Sequence, residues 1–91
     1  MYRIIDDRSS GKTSRLLLLA KENNGIVVCH NPRGMRAKAN AYGLVGFDII
    51  SYEDYLNKDY EHGKPCFIDE LENFVCWLNN DLKGYTLSNE D

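Results

Sequence analysis

Asp6-Asp7-Arg8-Ser9-Ser10-Gly11-Lys12-Thr13 decides the reading of this chain, because it falls between a β-rich run, Tyr2-Arg3-Ile4-Ile5, and a helix-like run over residues 13–23. A strand, a polar loop and a helix in immediate succession are the setting that a phosphate-binding loop requires. In such a loop, backbone N–H groups and the helix N-terminus surround the phosphates, a lysine neutralises β- and γ-phosphate charge, and a hydroxyl meets Mg2+. Gly11, Lys12 and Thr13 supply those groups, with Ser9, Ser10 and Ser14 beside them. Asp6 and Asp7 act in the opposite sense, placing carboxylates near a polyanion, and Arg8 offsets part of that charge.

Outward from the loop, short β-rich runs alternate with helix-like runs. Asn24-Gly25 ends the first helix, with the glycine suited to a left-handed stop. Ile26-Val27-Val28-Cys29 is a continuous apolar strand of the kind buried on both faces, and His30-Asn31-Pro32 turns the chain into a helix reaching about Tyr42. Phe47-Asp48-Ile49-Ile50 gives a third strand, and Ser51 with Asp54 three residues on reads as a helix cap. After a polar loop over residues 57–64, Cys66-Phe67-Ile68 forms a fourth strand ending at Asp69-Glu70, and Leu71, Phe74, Val75 and Leu78 recur at helical spacing. Lys83-Gly84-Tyr85-Thr86-Leu87 reads as a fifth strand, and residues 88–91 as a frayed acidic end. The alternation predicts one α/β domain over residues 1–91, a three-layer sandwich around a mostly parallel sheet of about five strands.

With 43% hydrophobic and 27% charged residues, the composition is that of an ordinary folded domain rather than a disordered chain. A net charge of −3 gives no global attraction to nucleic acid or to an anionic membrane. Nucleic-acid contact would have to come through the local cluster Arg33, Arg36 and Lys38, whose other reading is a solvated helix face. The longest apolar run, residues 16–20, is far too short to cross a bilayer, and Met1-Tyr2-Arg3 lacks the apolar region of a signal peptide. The expectation is a cytoplasmic protein with no membrane partner. Cys29, Cys66 and Cys76 are odd in number, sit among apolar residues and lack paired metal-ligand spacing, so they read as reduced core thiols. Trp77, with Phe74 and Leu78, reads as core, and His30 and His62 as strand-end or loop residues.

The loop ending in Gly11-Lys12-Thr13 resembles the Walker A motif of P-loop nucleoside triphosphatases, G-x-x-x-x-G-K-[ST], with Asp6 standing where the first glycine belongs. Cys66-Phe67-Ile68-Asp69-Glu70 looks like their Walker B strand. Over residues 4–87 the chain also resembles the first RecA-like domain of helicases and related small ATPase-like proteins of phages and mobile elements. The resemblance implies Mg2+ with ATP or a similar nucleotide held by Ser9, Ser10, Gly11, Lys12, Thr13 and Ser14, the metal on Thr13 and Asp69, and catalysis by Lys12 and by Glu70 as the base that polarises water. It implies further that the last strand inserts between the phosphate-loop strand and the Walker B strand, bringing Thr86 or Ser88 near the γ-phosphate. A helicase needs a second such domain, so the resemblance implies weak hydrolysis, or hydrolysis dependent on self-association or a protein partner, with Arg33 or Arg36 as finger candidates. The alternative is a catalytically inactive interaction or regulatory module, favoured by Asp6 and Ser10 at positions where the family usually has glycine.

Overall fold

A computed structural model of the chain describes Ile4 and residues 11–86. Three strands form a parallel sheet: β1 (Ile26–Cys29) lies between β2 (Asp48–Ser51) and β3 (Cys66–Ile68). Four helices alternate with them, α1 (Lys12–Glu22), α2 (Pro32–Ala41), α3 (Tyr52–Leu56) and α4 (Leu71–Leu78).

The apolar run of β1 explains its central place. All four residues are buried, which a strand achieves only with neighbours on both edges and helices on both faces. Register then sorts the side chains by face. Val27 pairs with Ile49 and Phe67, and this row packs against Leu17 and Ala20 of α1 and Met35 and Ala39 of α2. The next row, Val28 with Ile50 and Ile68, packs against Tyr52 of α3 and Phe74 of α4. Helices therefore cover both faces of the sheet. Leu17 is wholly buried, and removing such a side chain from water contributes about 1.5–3 kcal/mol.

Local signals set the helix boundaries. The Asn31 side chain accepts from the Gly34 N–H at 3.2 Å with Pro32 in the first turn, and Ser51 Oγ accepts from the Asp54 N–H at 3.1 Å. At the end of α1 the left-handed residue is Asn24, at φ 51°, rather than the glycine after it. Gly25 has a different duty: a Cβ there would lie 2.7 Å from both the Phe67 ring and the Pro65 carbonyl oxygen. Its N–H donates to the Ala20 carbonyl at 2.8 Å, drawing the helix end against the sheet.

The sheet departs from the expected five strands. The first expected strand falls outside the described residues except for Ile4, which belongs to no strand. Lys83, Gly84, Tyr85 and Thr86 are exposed and outside the sheet, so the expected insertion of a last strand beside β3 is overturned; Leu87 and Ser88 lie outside the described residues. The physical reason is legible in the side chains. A central parallel strand needs apolar groups on both faces, and this segment offers one large ring, Tyr85, which is itself half exposed. No helix among the described residues is long and apolar enough to cross a membrane.

Candidate functional site

Parallel strands deliver the turns that follow them to one edge of the sheet, which places Asp69-Glu70 there, and α1, packed on the sheet through Leu17 and Ala20, brings Lys12 and Thr13 to the same edge. Gly11 stands at the N-cap of α1 in the left-handed region, at φ 79°, and no side chain caps the helix. Nor does an acid occupy its first turn. Among the described residues, therefore, no acid of its own first turn offsets the positive end of the helix, where Lys12 stands. Ser14 turns its hydroxyl back to the Gly11 carbonyl at 2.8 Å, which commits it to the backbone. Ser9 and Ser10 lie outside the described residues.

Asp69 directly follows β3, and its N–H donates to the Val28 carbonyl at 2.9 Å, extending the ladder by one bond. Thr13 Oγ1 lies 3.5 Å from Asp69 Oδ1, and Lys12 Nζ lies 3.6 Å from Glu70 Oε1. Residues 56 positions apart in the chain are therefore neighbours. The first contact is at the outer limit of a hydrogen bond, and the second is a partly exposed ion pair, with 26% and 41% of the two side chains accessible. Neither is a strong structural bond. The Asp69 carboxyl is pushed above the usual range, first by burial and then by Glu70, while Lys38, Thr13 and Lys12 pull it back.

Neither carboxylate caps α4. Its N-cap is Glu70, whose side chain makes no capping bond and whose backbone sits at φ 56°. A left-handed backbone costs a non-glycine residue about 1 kcal/mol, so the neighbours must hold it. Tyr52 does so: its hydroxyl donates to the Asp69 carbonyl at 3.1 Å and to the Glu70 carbonyl at 3.3 Å. Burial, followed by the Asp69 charge, pushes that hydroxyl up to about 12, so it remains a donor through neutral pH. The Tyr52 ring is anchored by Phe74, edge-on at 5.0 Å, and by Trp77 at 5.8 Å.

Beside this turn opens a cleft of about 190 Å³ lined by Cys29, His30, Asn31, Lys38, Tyr52, Asp69, Glu70 and Asn73, among others. Sequence reasoning passed over Tyr52, Asn73 and the cleft. One signal was available: Asn31, Met35 and Lys38 fall on one face of α2. The basic cluster is divided. Arg36 donates to the Phe47 carbonyl at 2.7 Å and lies over the Phe47 ring, a structural task, whereas Lys38 reaches the cleft. Arg33 is exposed. His62 meets the Lys58 carbonyl at 3.1 Å and stacks on Tyr60, away from the two carboxylates. Two core assignments are corrected: Trp77 is 42% exposed, and Cys76 is exposed while Cys66 is intermediate. Cys29 is buried, and burial pushes its thiol up to about 11, which makes it a poor nucleophile at neutral pH.

Among the described residues there is no group of three or more His, Cys, Asp or Glu placed to hold a metal ion. Thr13 and Asp69 offer oxygen alone, the donor type that Mg2+ accepts, and two adjacent ligands on an octahedral Mg2+ stand about 2.9 Å apart. The observed 3.5 Å needs a small closure, or a water between Asp69 and the ion. The pair has the donor chemistry for Mg2+ and supplies two oxygens at most. Compared with protein-family models, with curated proteins and with solved structures, the chain finds no match.

Proposed function

We propose that this protein binds a nucleoside triphosphate such as ATP with Mg2+ at the start of α1, and hydrolyses it weakly or only with a partner. The supporting observation is the meeting of Gly11-Lys12-Thr13 with Asp69-Glu70 on one sheet edge, Thr13 within 3.5 Å of Asp69 and Lys12 within 3.6 Å of Glu70. Lysine and the N-terminal amides of a helix attract phosphate, Thr13 and Asp69 would hold oxygen-seeking Mg2+, and Glu70 would accept a proton from the attacking water. When bound, Mg2+ supplies charge neutralisation at the phosphates. Lys12 lets go of Glu70 to meet the phosphates, which frees that carboxylate for its own task.

Titration with a fluorescent ATP analogue, with and without Mg2+, tests the reading. Magnesium-dependent binding supports it, and absence of binding at millimolar nucleotide by a folded protein rejects it. Hydrolysis is tested against Glu70→Gln, with and without nucleic acid. Equal rates in both proteins would remove Glu70 as the base.

A second reading, a catalytically inactive interaction module, is favoured by α4, where Leu71, Trp77 and Leu78 are each exposed by 40% or more. It predicts no turnover even where nucleotide binds.

A further inference from the structure

The Asp69–Glu70 turn borders two spaces. On one side stand Lys12 and Thr13, and on the other lies the cleft, which neither of those residues lines. Glu70 belongs to both, since it lines the cleft and its Oε1 is 3.6 Å from Lys12 Nζ. A base for hydrolysis needs space for one water, roughly 30 Å³. The cleft offers about 190 Å³, several times that, yet less than the roughly 300 Å³ at which drug-sized pockets begin. Its lining is organised. Cys29, Met35 and Tyr52 are buried and form an apolar floor, His30, Asn31, Lys38, Glu70 and Asn73 are exposed and form a polar rim, and the half-buried Asp69 stands between them at the end that faces Thr13. Among the described lining residues Lys38 is the one cation, opposite the carboxylates of Asp69 and Glu70, seven positions along α2 from Asn31 and on the same face.

We propose that the cleft binds a second substrate of the nucleotide site, a small hydroxylated anion held by Lys38, whose hydroxyl receives the γ-phosphoryl group. This rests on the nucleotide reading above. In the transfer, the bond between the γ-phosphorus and its bridging oxygen breaks, and that oxygen leaves with the electron pair on the nucleoside diphosphate. The acceptor oxygen forms the new bond to phosphorus, and its proton passes to the Glu70 carboxylate and then to solvent. Asn31, Asn73 and His30 orient the acceptor by hydrogen bonds, and the apolar floor takes its carbon skeleton. The acceptor and the phosphates then flank the same Asp69–Glu70 turn, with Glu70 between them as the base, the arrangement that direct transfer requires.

The test uses the full chain with glycerate and glycerol 3-phosphate as probes, one carrying a carboxylate and the other a phosphate. Without nucleotide, either probe should move the backbone amide resonances of His30, Asn31, Lys38 and Asn73. Affinity should fall about tenfold or more in Lys38→Ala, through loss of a charged partner, and return in Lys38→Arg. With Mg2+ and γ-labelled ATP, label should appear in the bound probe, and Glu70→Gln should abolish that product. Lys38 is exposed, so its variants keep the fold. Amides that ignore both probes at tens of millimolar, unchanged affinity in Lys38→Ala, or label found only as inorganic phosphate overturns the proposal. The amide shifts, recorded without nucleotide, judge the cleft alone, whereas nucleotide binding by wild type and Lys12→Ala judges the phosphate loop alone.

Discussion

Replacing Lys12 by alanine separates what this residue does for the fold from what it does for a ligand. Among the described residues its ion pair, with Glu70 at 3.6 Å, is partly exposed, and such pairs contribute about 0.2–1 kcal/mol. Lys12 is also the first residue of α1, where a positive charge opposes the helix dipole by about 0.3–1 kcal/mol. The two effects nearly cancel. Lys12→Ala should therefore shift stability by no more than about 0.5 kcal/mol, or about 2–4 °C in Tm for a domain of this size. Against a triphosphate the balance changes, because a charge-assisted hydrogen bond contributes about 1.5–3 kcal/mol, which corresponds to roughly 10- to 150-fold in Kd. Thermal unfolding and titration with a fluorescent ATP analogue, on the same samples, measure both quantities. A variant that stays folded and binds as tightly as wild type would refute the assignment of Lys12 to the phosphates. A fall in Tm beyond about 8 °C would show instead that the ion pair holds the fold together.

Asp69→Asn should raise Tm at neutral pH while abolishing the Mg2+ dependence of nucleotide binding. Because the Asp69 carboxyl is held above its usual range, its protonated form is the one the fold favours, and that contribution is lost as pH rises through the folded-state value. The gain from asparagine should thus be greatest near neutrality and vanish well below the carboxylate range; a gain independent of pH would disprove the cause. Tyr52→Phe removes the hydroxyl that serves two carbonyls and should cost about 1–2 kcal/mol by denaturant unfolding, with no change if water replaces it fully. Gly25→Ala should cost about 1–3 kcal/mol, since the Pro65 carbonyl 2.7 Å from the new methyl is backbone and yields little; an unaltered midpoint would contradict that approach. Leu17→Ala, in the fully buried core, should cost about 2–5 kcal/mol on the same assay.

Much of the site was legible because of one topological fact. The acidic pair closing β3 sits where strand ends in a parallel sheet share an edge, and α1, packed on that sheet through Leu17 and Ala20, brings Lys12 and Thr13 to the same edge. Ser51 and Asn31 were readable for local reasons, each bonding to an N–H three residues on. The segment over residues 83–87 misled because a short run with Tyr85 and Thr86 suits a pleated surface as well as a loose turn, and only burial tells them apart. Tyr52 escaped for the opposite reason. Its position after a capping serine looked local, whereas its function is to reach carbonyls 17 and 18 residues away. Lys38 was seen only as charge, because the cleft it lines with Asp69 and Asn73 is assembled from elements far apart in the chain.

Asp69 stands one residue beyond the last residue of β3, with Phe67 two residues before it. The distance from a buried aromatic to the acid is thus fixed by two peptide units, and the tolerance of the gene to length change is unequal along this stretch. Codons added within residues 57–64, between α3 and β3, alter a surface excursion and leave the acid in place. A single codon added or lost between Phe67 and Asp69 would turn the acid to the opposite side of the sheet or drag Phe67 out of its core. Whatever lineage of sequences carries this domain should show insertions freely in the first stretch and none in the second.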